Sequence, residues 1–230
     1  MNEKYVAKRF DERAHLYEEE VIDRFKETYY RPIEKIVELA SPKKTEVVLD
    51  IGAGTGAVSL FIAPYVKKII AIDISEKMLI EAKNKVKASG VSNIEFRIGS
   101  FLKPNLYEKV DIIVSNLALH HLPDEDKKSA IKVMHTLLNE GGKVVFGDVM
   151  FFFDPEKEPE KIDELIQLAV ANITDESKDD AIKQIRDTIE TEYPSKAEDL
   201  KQFFEEYGFE IVKLEEMFPL IGIVFARKKG

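Results

Sequence analysis

The stretch Val47-Val48-Leu49-Asp50-Ile51-Gly52-Ala53-Gly54-Thr55-Gly56 constrains the chain more than any other. Aliphatic residues run into an acid, and three glycines follow at alternate positions. The apolar run predicts a buried parallel strand, and the glycines a sharp turn into a helix. Glycine permits positive φ there and lets the backbone come close to a ligand that a Cβ would push away. A helix starting at such a turn aims unpaired N–H groups at the same place. A ligand is therefore expected over residues 50–56.

The strand and helix patterns continue in alternation. Ile69 to Asp73 reads as a second buried strand ending in an acid, Ile94 to Ile98 as a third, and Val110 to Val114 as a fourth. Lys143 to Val149, after Gly141-Gly142, reads as a fifth. Ser75 is suited to cap the helix after the second strand, and Gly90 to stop it. Strands alternating with helices pair in parallel through right-handed crossovers. The last two strands, Phe209 to Leu214 and Leu220 to Arg227, have no helix between them and must pair antiparallel.

Before the first strand, Val6, Phe10, Ala14, Tyr17, Val21, Phe25 and Tyr29 recur every three to four residues and share one helical face. Arg31-Pro32 interrupts that pattern, and Pro32 suits the first turn of a new helix. Residues 150–194 break the alternation with two helical patterns and no strand. Ser195-Lys196-Ala197-Glu198 has the form of a capping box for a final helix. The expected division is residues 1–42 as a helical lid, 43–149 as the binding core, 150–194 as a helical insert, and 195–230 as the closing helix and strand pair.

The 230 residues, 44% hydrophobic and 33% charged, suit one α/β domain. Cysteine is absent, which removes disulfides and thiolate chemistry. The first residues lack the apolar core of a signal peptide, and no 18-residue apolar window is present, so a cytoplasmic protein with no membrane partner is expected. A net charge of −9 argues against a nucleic-acid partner. Residues 154–192 carry 13 acids against 5 bases and read as a solvated helix face.

Three ligands compete for the glycine turn. Gly52, Gly54 and Ala57 fit the dinucleotide pattern, with Asp73 placed 21 residues after Gly52 as an acid on a ribose should be. A phosphate-binding P-loop fails, because no Gly-Lys-Ser/Thr follows. Asp50 opposes a pyrophosphate by repulsion and suits a cofactor with a positive charge and an amino group.

Together these residues resemble the class I S-adenosylmethionine-dependent methyltransferases. Val47 to Gly56 looks like motif I of that family, Ala71 to Ser75 like its second motif, Asp111 to Leu122 like its fourth, and Leu137 to Gly142 like the turn before its fifth strand. Phe10-Asp11-x-x-Ala14-x-x-Tyr17 is similar to the opening helix of small-molecule methyltransferases of the ubiquinone/menaquinone-biosynthesis type. Two positions depart from the pattern. The third motif reads Gly99-Ser100-Phe101 where an acid is usual, and Glu18 stands where relatives often carry Asp.

The resemblance implies a Rossmann-like, mostly parallel seven-stranded sheet with helices on both faces and a C-terminal antiparallel hairpin. It implies S-adenosyl-L-methionine as cofactor and methyl transfer to a small-molecule acceptor by in-line displacement. A nicotinamide-dependent oxidoreductase and a non-catalytic S-adenosylmethionine-binding module are the alternatives. Asp50 would hold the cofactor's amino group, while Gly52, Ala53, Gly54 and Gly56 let the backbone approach it. Asp73 would accept the ribose hydroxyls, with a role as helix N-cap the competing reading. Ile74 and Met78 would border the adenine, with Ser100 and Phe101 beside them, and Asn116 and Leu117 would face the crevice after strand four.

His121 is the candidate for a pocket wall or a base, with a structural histidine the competing reading. Tyr17 would reach over the cofactor from the lid, although its spacing also fits plain packing. No metal is expected, since no third ligand accompanies His120 and His121 at a recognisable spacing. His15 and His135 read as non-catalytic. Met150 to Phe153 is a candidate lining for an apolar acceptor pocket, with packing of the insert helices the competing reading. The oligomeric state is open.

Overall fold

In the computed structural model, which describes residues 3–173 and 175–230, the five apolar runs are parallel strands. They are β1 (Val47–Ile51), β2 (Lys68–Asp73), β3 (Ile94–Ile98), β4 (Val110–Asn116) and β5 (Leu138–Phe151). β7 (Phe209–Phe218) and β8 (Ile221–Lys228) close the sheet antiparallel, in the order β3-β2-β1-β4-β5-β8-β7. These are the seven expected strands. A two-residue strand, β6 (Ser195–Lys196), adds an eighth beside Met150 and Phe151 of β5.

β1 pairs with β2 on one side and β4 on the other. The chain therefore winds outward to β3, then returns across β1. That reversal opens a crevice at the carboxyl ends of β1 and β4, where ligands of open α/β sheets bind.

Both faces of the sheet are covered. Leu49 and Ile51 point into a core with Ile131 and Met134 of α5 (Asp124–Leu137) and Phe204 of α8 (Ala197–Glu206). Val48 points the other way, into a core with Ile33 and Ile36 of α2 (Lys26–Ala40) and Val58 and Ile62 of α3 (Ala57–Ile62). α4 (Glu76–Ser89) starts as expected: the Ser75 hydroxyl accepts from the Met78 amide at 3.1 Å. Gly90 ends it at φ +72°.

The N-terminal helices break elsewhere than at Pro32. α1 (Glu3–Arg13) stops early, Glu18–Asp23 forms a π-helix, and α2 runs straight through Pro32. A proline inside a helix forfeits one hydrogen bond, at a cost of about 3 kcal/mol. Here the ring lies against β5, where a Cβ on Gly147 would stand 3.0 Å from Pro32 Cβ. Burial of Pro32, Ile33 and Ile36 offsets the lost bond.

One further expectation is corrected. The capping box does not form: Lys196 is the N-cap of α8 and gives no side-chain cap. Ser195 instead lies in β6, donating to Asp124 Oδ1 and accepting from Lys127 Nζ, both at 2.6 Å. Phe151 and Phe153 pack with Ile166 of α6 (Glu160–Ala169) and with Ile182, Ile185 and Ile189 of α7 (Asp175–Thr191). Among the described residues, no helix is long and apolar enough to cross a membrane.

Candidate functional site

The turn after β1 is tied to the end of β2. The amides of Gly52 and Ala53 both donate to the Ile72 carbonyl, at 2.9 and 3.0 Å. Gly52 has φ +70°, and a Cβ there would stand 2.5 Å from Ala118 Cβ. A side chain is excluded by conformation and by space. Gly54, at φ +54°, would project a Cβ into open space. Gly56 serves packing: as N-cap of α3 it faces Ala82 of α4, which a Cβ would approach to 3.2 Å.

Asp73 ends β2 between two loops. Its Oδ2 accepts from Gly54 N and its Oδ1 from Ser75 N, each at 2.8 Å. Burial raises its pKa against these two amide bonds. Ser75, not Asp73, is the helix cap.

Asp50 is fully buried. Its Oδ2 accepts from Ser59 Oγ at 2.6 Å, while Oδ1 has no hydrogen-bond partner. Burial pushes its pKa up to about 7, against the Ser59 bond. Ser59 escaped the sequence reading because it looks like any polar residue in the first turn of a helix.

Two cavities lie along the carboxyl edge. The first is lined by Gly52, Ala53, Gly54, Asp73, Ile74, Met78, Ser100, Phe101, Asn116, Leu117, Tyr17 and His121. Of the expected residues, Asp50 and Gly56 do not line it, and Asp50 is fully buried. The Ser100 hydroxyl donates to Glu3 Oε1 of α1 at 2.5 Å. Asn116 gives Nδ2 to the Tyr29 carbonyl at 3.4 Å, and its Oδ1 is buried without a partner. Leu117 holds φ +53°, a conformation that costs an L-residue about 1–2 kcal/mol. Its amide donates to Gly147 O at 2.8 Å.

The second cavity is walled by Val21 and Phe25, by Val149 of β5, by Gln184, Ile185 and Thr188 of α7, and by Pro219, Leu220 and Ile221 of the hairpin. Met150 to Phe153 do not line it. Phe10, Tyr17, Tyr29, Leu117 and His121 border both cavities. Burial pushes the Tyr17 hydroxyl up, with Asp73 adding to the shift, so it stays protonated.

Along the wall of the second cavity, beginning at the shared border residue His121, stands a buried polar group that the sequence did not disclose. His120 Nδ1 lies 2.5 Å from Asp148 Oδ1, and its Nε2 lies 2.8 Å from Glu192 Oε2. His121 Nδ1 is 3.0 Å from the same Glu192 oxygen. Arg9 Nη1 donates to Glu192 Oε1 at 2.5 Å. Burial opposes a charge on His120, but Asp148 and Glu192 prevail and lift its pKa to about 9. Burial and His120 lower His121. Glu192, despite burial, is held well below the carboxylate range by the two histidines. It is thus an exception to the solvated acidic run, and it supplies the third donor absent near His120 and His121 in sequence. Asp148, an acid inside an apolar strand, was the one visible signal.

His15 is exposed. His135 packs edge-on to Phe209 at 5.3 Å.

Comparison with known proteins places this geometry in a family. Residues 48–142 match the family model described as a methyltransferase domain. An uncharacterized methyltransferase of Oceanobacillus iheyensis is 30% identical over 222 residues, 95% of each chain. One of Bacillus pumilus is 31% identical over 223 residues, 96% of each chain. Among solved structures, magnesium protoporphyrin IX methyltransferase from Synechocystis with bound SAH superposes with a TM-score of 0.73 at 18% identity. That match covers 99% of this chain and 100% of the other. The DhpI–SAH complex superposes with a TM-score of 0.68 at 17% identity, covering 97% and 95%.

Proposed function

Because this chain belongs to the class I S-adenosylmethionine-dependent methyltransferases, we propose that it methylates a small-molecule acceptor seated in the second cavity. The carrying observation is the common border of the two cavities at Phe10, Tyr17, Tyr29, Leu117 and His121. A cofactor over the glycine turn and an acceptor beneath α7 would meet there. A covered, mostly apolar cavity suits a small organic acceptor better than a polymer.

S-adenosylmethionine supplies an activated methyl group and its own leaving group. The chain's residues fit it. Asn116 Oδ1, on the cavity wall, is a buried acceptor without a partner, and an amino group supplies the donor it lacks. Asp50 Oδ1, also without a partner, lies behind that wall and would reach the amino group through a bridging water. An ionised Asp50 also offsets a positive charge nearby. Asp73 gives one lone pair per oxygen to the loop amides and keeps others for ribose hydroxyls. Ile74 and Met78 give an apolar border for the adenine, with Phe101 and Ser100 alongside. Gly52, Ala53 and Gly54 present main chain with no side chain between it and the ligand, and Gly56 acts by packing.

The remaining task is to align acceptor and methyl group and keep water out. Residues 1–42 and 150–194 would do this as the cover over the 43–149 core, with 195–230 closing the sheet. Tyr17, a protonated donor, and His121, held neutral, stand at the junction.

Calorimetric titration with S-adenosylhomocysteine, with NAD as control, tests the cofactor site. Labelled S-adenosylmethionine offered to a metabolite extract, to tRNA and to protein tests the acceptor. Label is expected in the small-molecule fraction; label confined to tRNA or protein would overturn the reading.

A further inference from the structure

We propose that His120 Nε2, His121 Nδ1 and Glu192 Oε2 form a binding site for a first-row divalent transition-metal ion at the wall of the second cavity. The three atoms lie within 4.8 Å of one another. The side chains are 6%, 13% and 1% exposed, so this is no surface cluster of acids. The site itself stands on these residues alone; that it faces the acceptor rests on the function proposed above.

The contacts are close but misdirected for hydrogen bonds. Glu192 Oε2 lies 2.8 Å from one imidazole nitrogen and 3.0 Å from another, yet Glu192 Oε2 and His121 Nδ1 both lack an aligned hydrogen-bond partner. Two ligand atoms at right angles about an ion, each bonded at about 2.1 Å, stand about 3.0 Å apart. The two separations from Glu192 Oε2 are thus those of neighbouring ligands on one ion, and the third pair lies within 4.8 Å. Two imidazoles and one carboxylate, with further positions open, are a donor set for Fe, Zn, Co or Ni rather than Mg.

Supporting contacts surround the three ligands. Asp148 Oδ1 holds His120 Nδ1, which leaves Nε2 as the ligand atom. Asp148 Oδ2 also accepts from the His120 amide at 3.0 Å. Arg9 holds the other oxygen of Glu192, which leaves Oε2 for the ion. The Tyr193 amide donates to the His120 carbonyl at 2.9 Å, so the end of α7 is fixed against the histidine pair. An ion here would present its open positions to an acceptor in the second cavity, which favours an acceptor carrying an oxygen donor.

Chelator-treated full-length protein, titrated with Co²⁺ and followed by visible absorption, decides the matter. One equivalent of Co²⁺ is expected to bind, displaced by Zn²⁺ and not by Mg²⁺. Glu192→Gln and His120→Gln should each weaken binding by tenfold or more, and Asp148→Asn by about 10–100-fold. The chain has four histidines, so ring NMR signals can locate the ion without any variant. Co²⁺ should broaden His120 and His121 and spare His15 and His135. Wild-type protein that binds S-adenosylhomocysteine but shows no saturable Co²⁺ or Zn²⁺ binding would overturn the proposal and leave a hydrogen-bonded network only. Broadening confined to His15 or His135 would overturn it equally. The homocysteine titration reports on the methyltransferase site separately, so failure of one reading is distinct from failure of the other.

Discussion

Asp11 on α1 accepts a 2.6 Å hydrogen bond from Ser75, the residue that caps α4. The same oxygen takes the Lys77 amide at 3.2 Å. Two neighbouring contacts repeat the arrangement: Glu3 accepts from Ser100 after β3, and Glu18 accepts from Thr55 after β1 at 2.7 Å. Three acids of the N-terminal segment therefore hold three of the loops that line the first cavity, those after β1, β2 and β3.

These contacts predict a cover that slows cofactor release. Asp11→Ala and Glu18→Ala should each speed S-adenosylhomocysteine dissociation by roughly 5- to 30-fold in stopped-flow displacement, the loss of one to two hydrogen bonds at about 1 kcal/mol each. Deleting residues 1–30 should abolish turnover and weaken cofactor binding. Unchanged dissociation and turnover would remove the covering role.

Asp50 predicts a pH dependence. Its pKa rises from 3.8 to about 7 because burial penalises the charged form. The stabilising contribution of this group is complete below about pH 4 and is lost as pH climbs through 7. Cofactor binding should run oppositely, because the amino group calls for the ionised carboxylate. Affinity for S-adenosylhomocysteine should rise by up to about tenfold per pH unit below 7, then level off. Calorimetry between pH 5.5 and 7.5 measures this, and Asp50→Asn should flatten both profiles. A profile that stays steep in the variant would assign the titration to another group.

Gly52 predicts a cost with two separable parts. Gly52→Ala meets a φ of +70° and Ala118 Cβ at 2.5 Å, and should lose about 2–4 kcal/mol in urea unfolding. Adding Ala118→Gly should restore the steric part and leave the conformational part of about 1–2 kcal/mol. Full recovery in the double variant would show that backbone conformation contributes nothing.

Lys127 predicts the largest loss outside the cavities. Its side chain is 1% exposed, and Nζ donates to Asp124 Oδ1, to Ser195 Oγ and to the Tyr193 carbonyl. Lys127→Met leaves all three acceptors short of a donor and should cost about 2–4 kcal/mol, roughly 5–15 °C in Tm. Because the Tyr193 carbonyl adjoins Glu192 in the chain, methyl transfer should fall as well. A variant with wild-type Tm would mean that water replaces the ammonium without penalty.

The sheet was legible because its signals are local. An aliphatic run ending in an acid, then glycine, specifies a strand and its turn within ten residues. The helix after β2 announced both of its ends, through Ser75 and Gly90. Pro32 misled because helix rules weigh the missing N–H, whereas the position is decided by how the ring packs on Gly147, more than a hundred residues away. Ser195 had the pattern of a cap, but the neighbouring Lys127 and Asp124 were better partners. Gly52, Gly54, Asp73 and the crevice residues after β4 line one cavity. Glu192 did not show itself, because one buried acid among 13 looks like the rest until the fold brings Arg9 and two histidines to it.

The second cavity draws Val21 and Phe25 from one end of the chain, Gln184 and Ile185 from α7, and Pro219 to Ile221 from the closing hairpin. None of these lines the first cavity. Divergence at those positions leaves the glycine turn, Asp50 and Asp73 untouched. The two halves of the molecule are therefore free to evolve at different rates: one lineage can acquire new acceptors by drift in three separate segments while inheriting its cofactor chemistry intact.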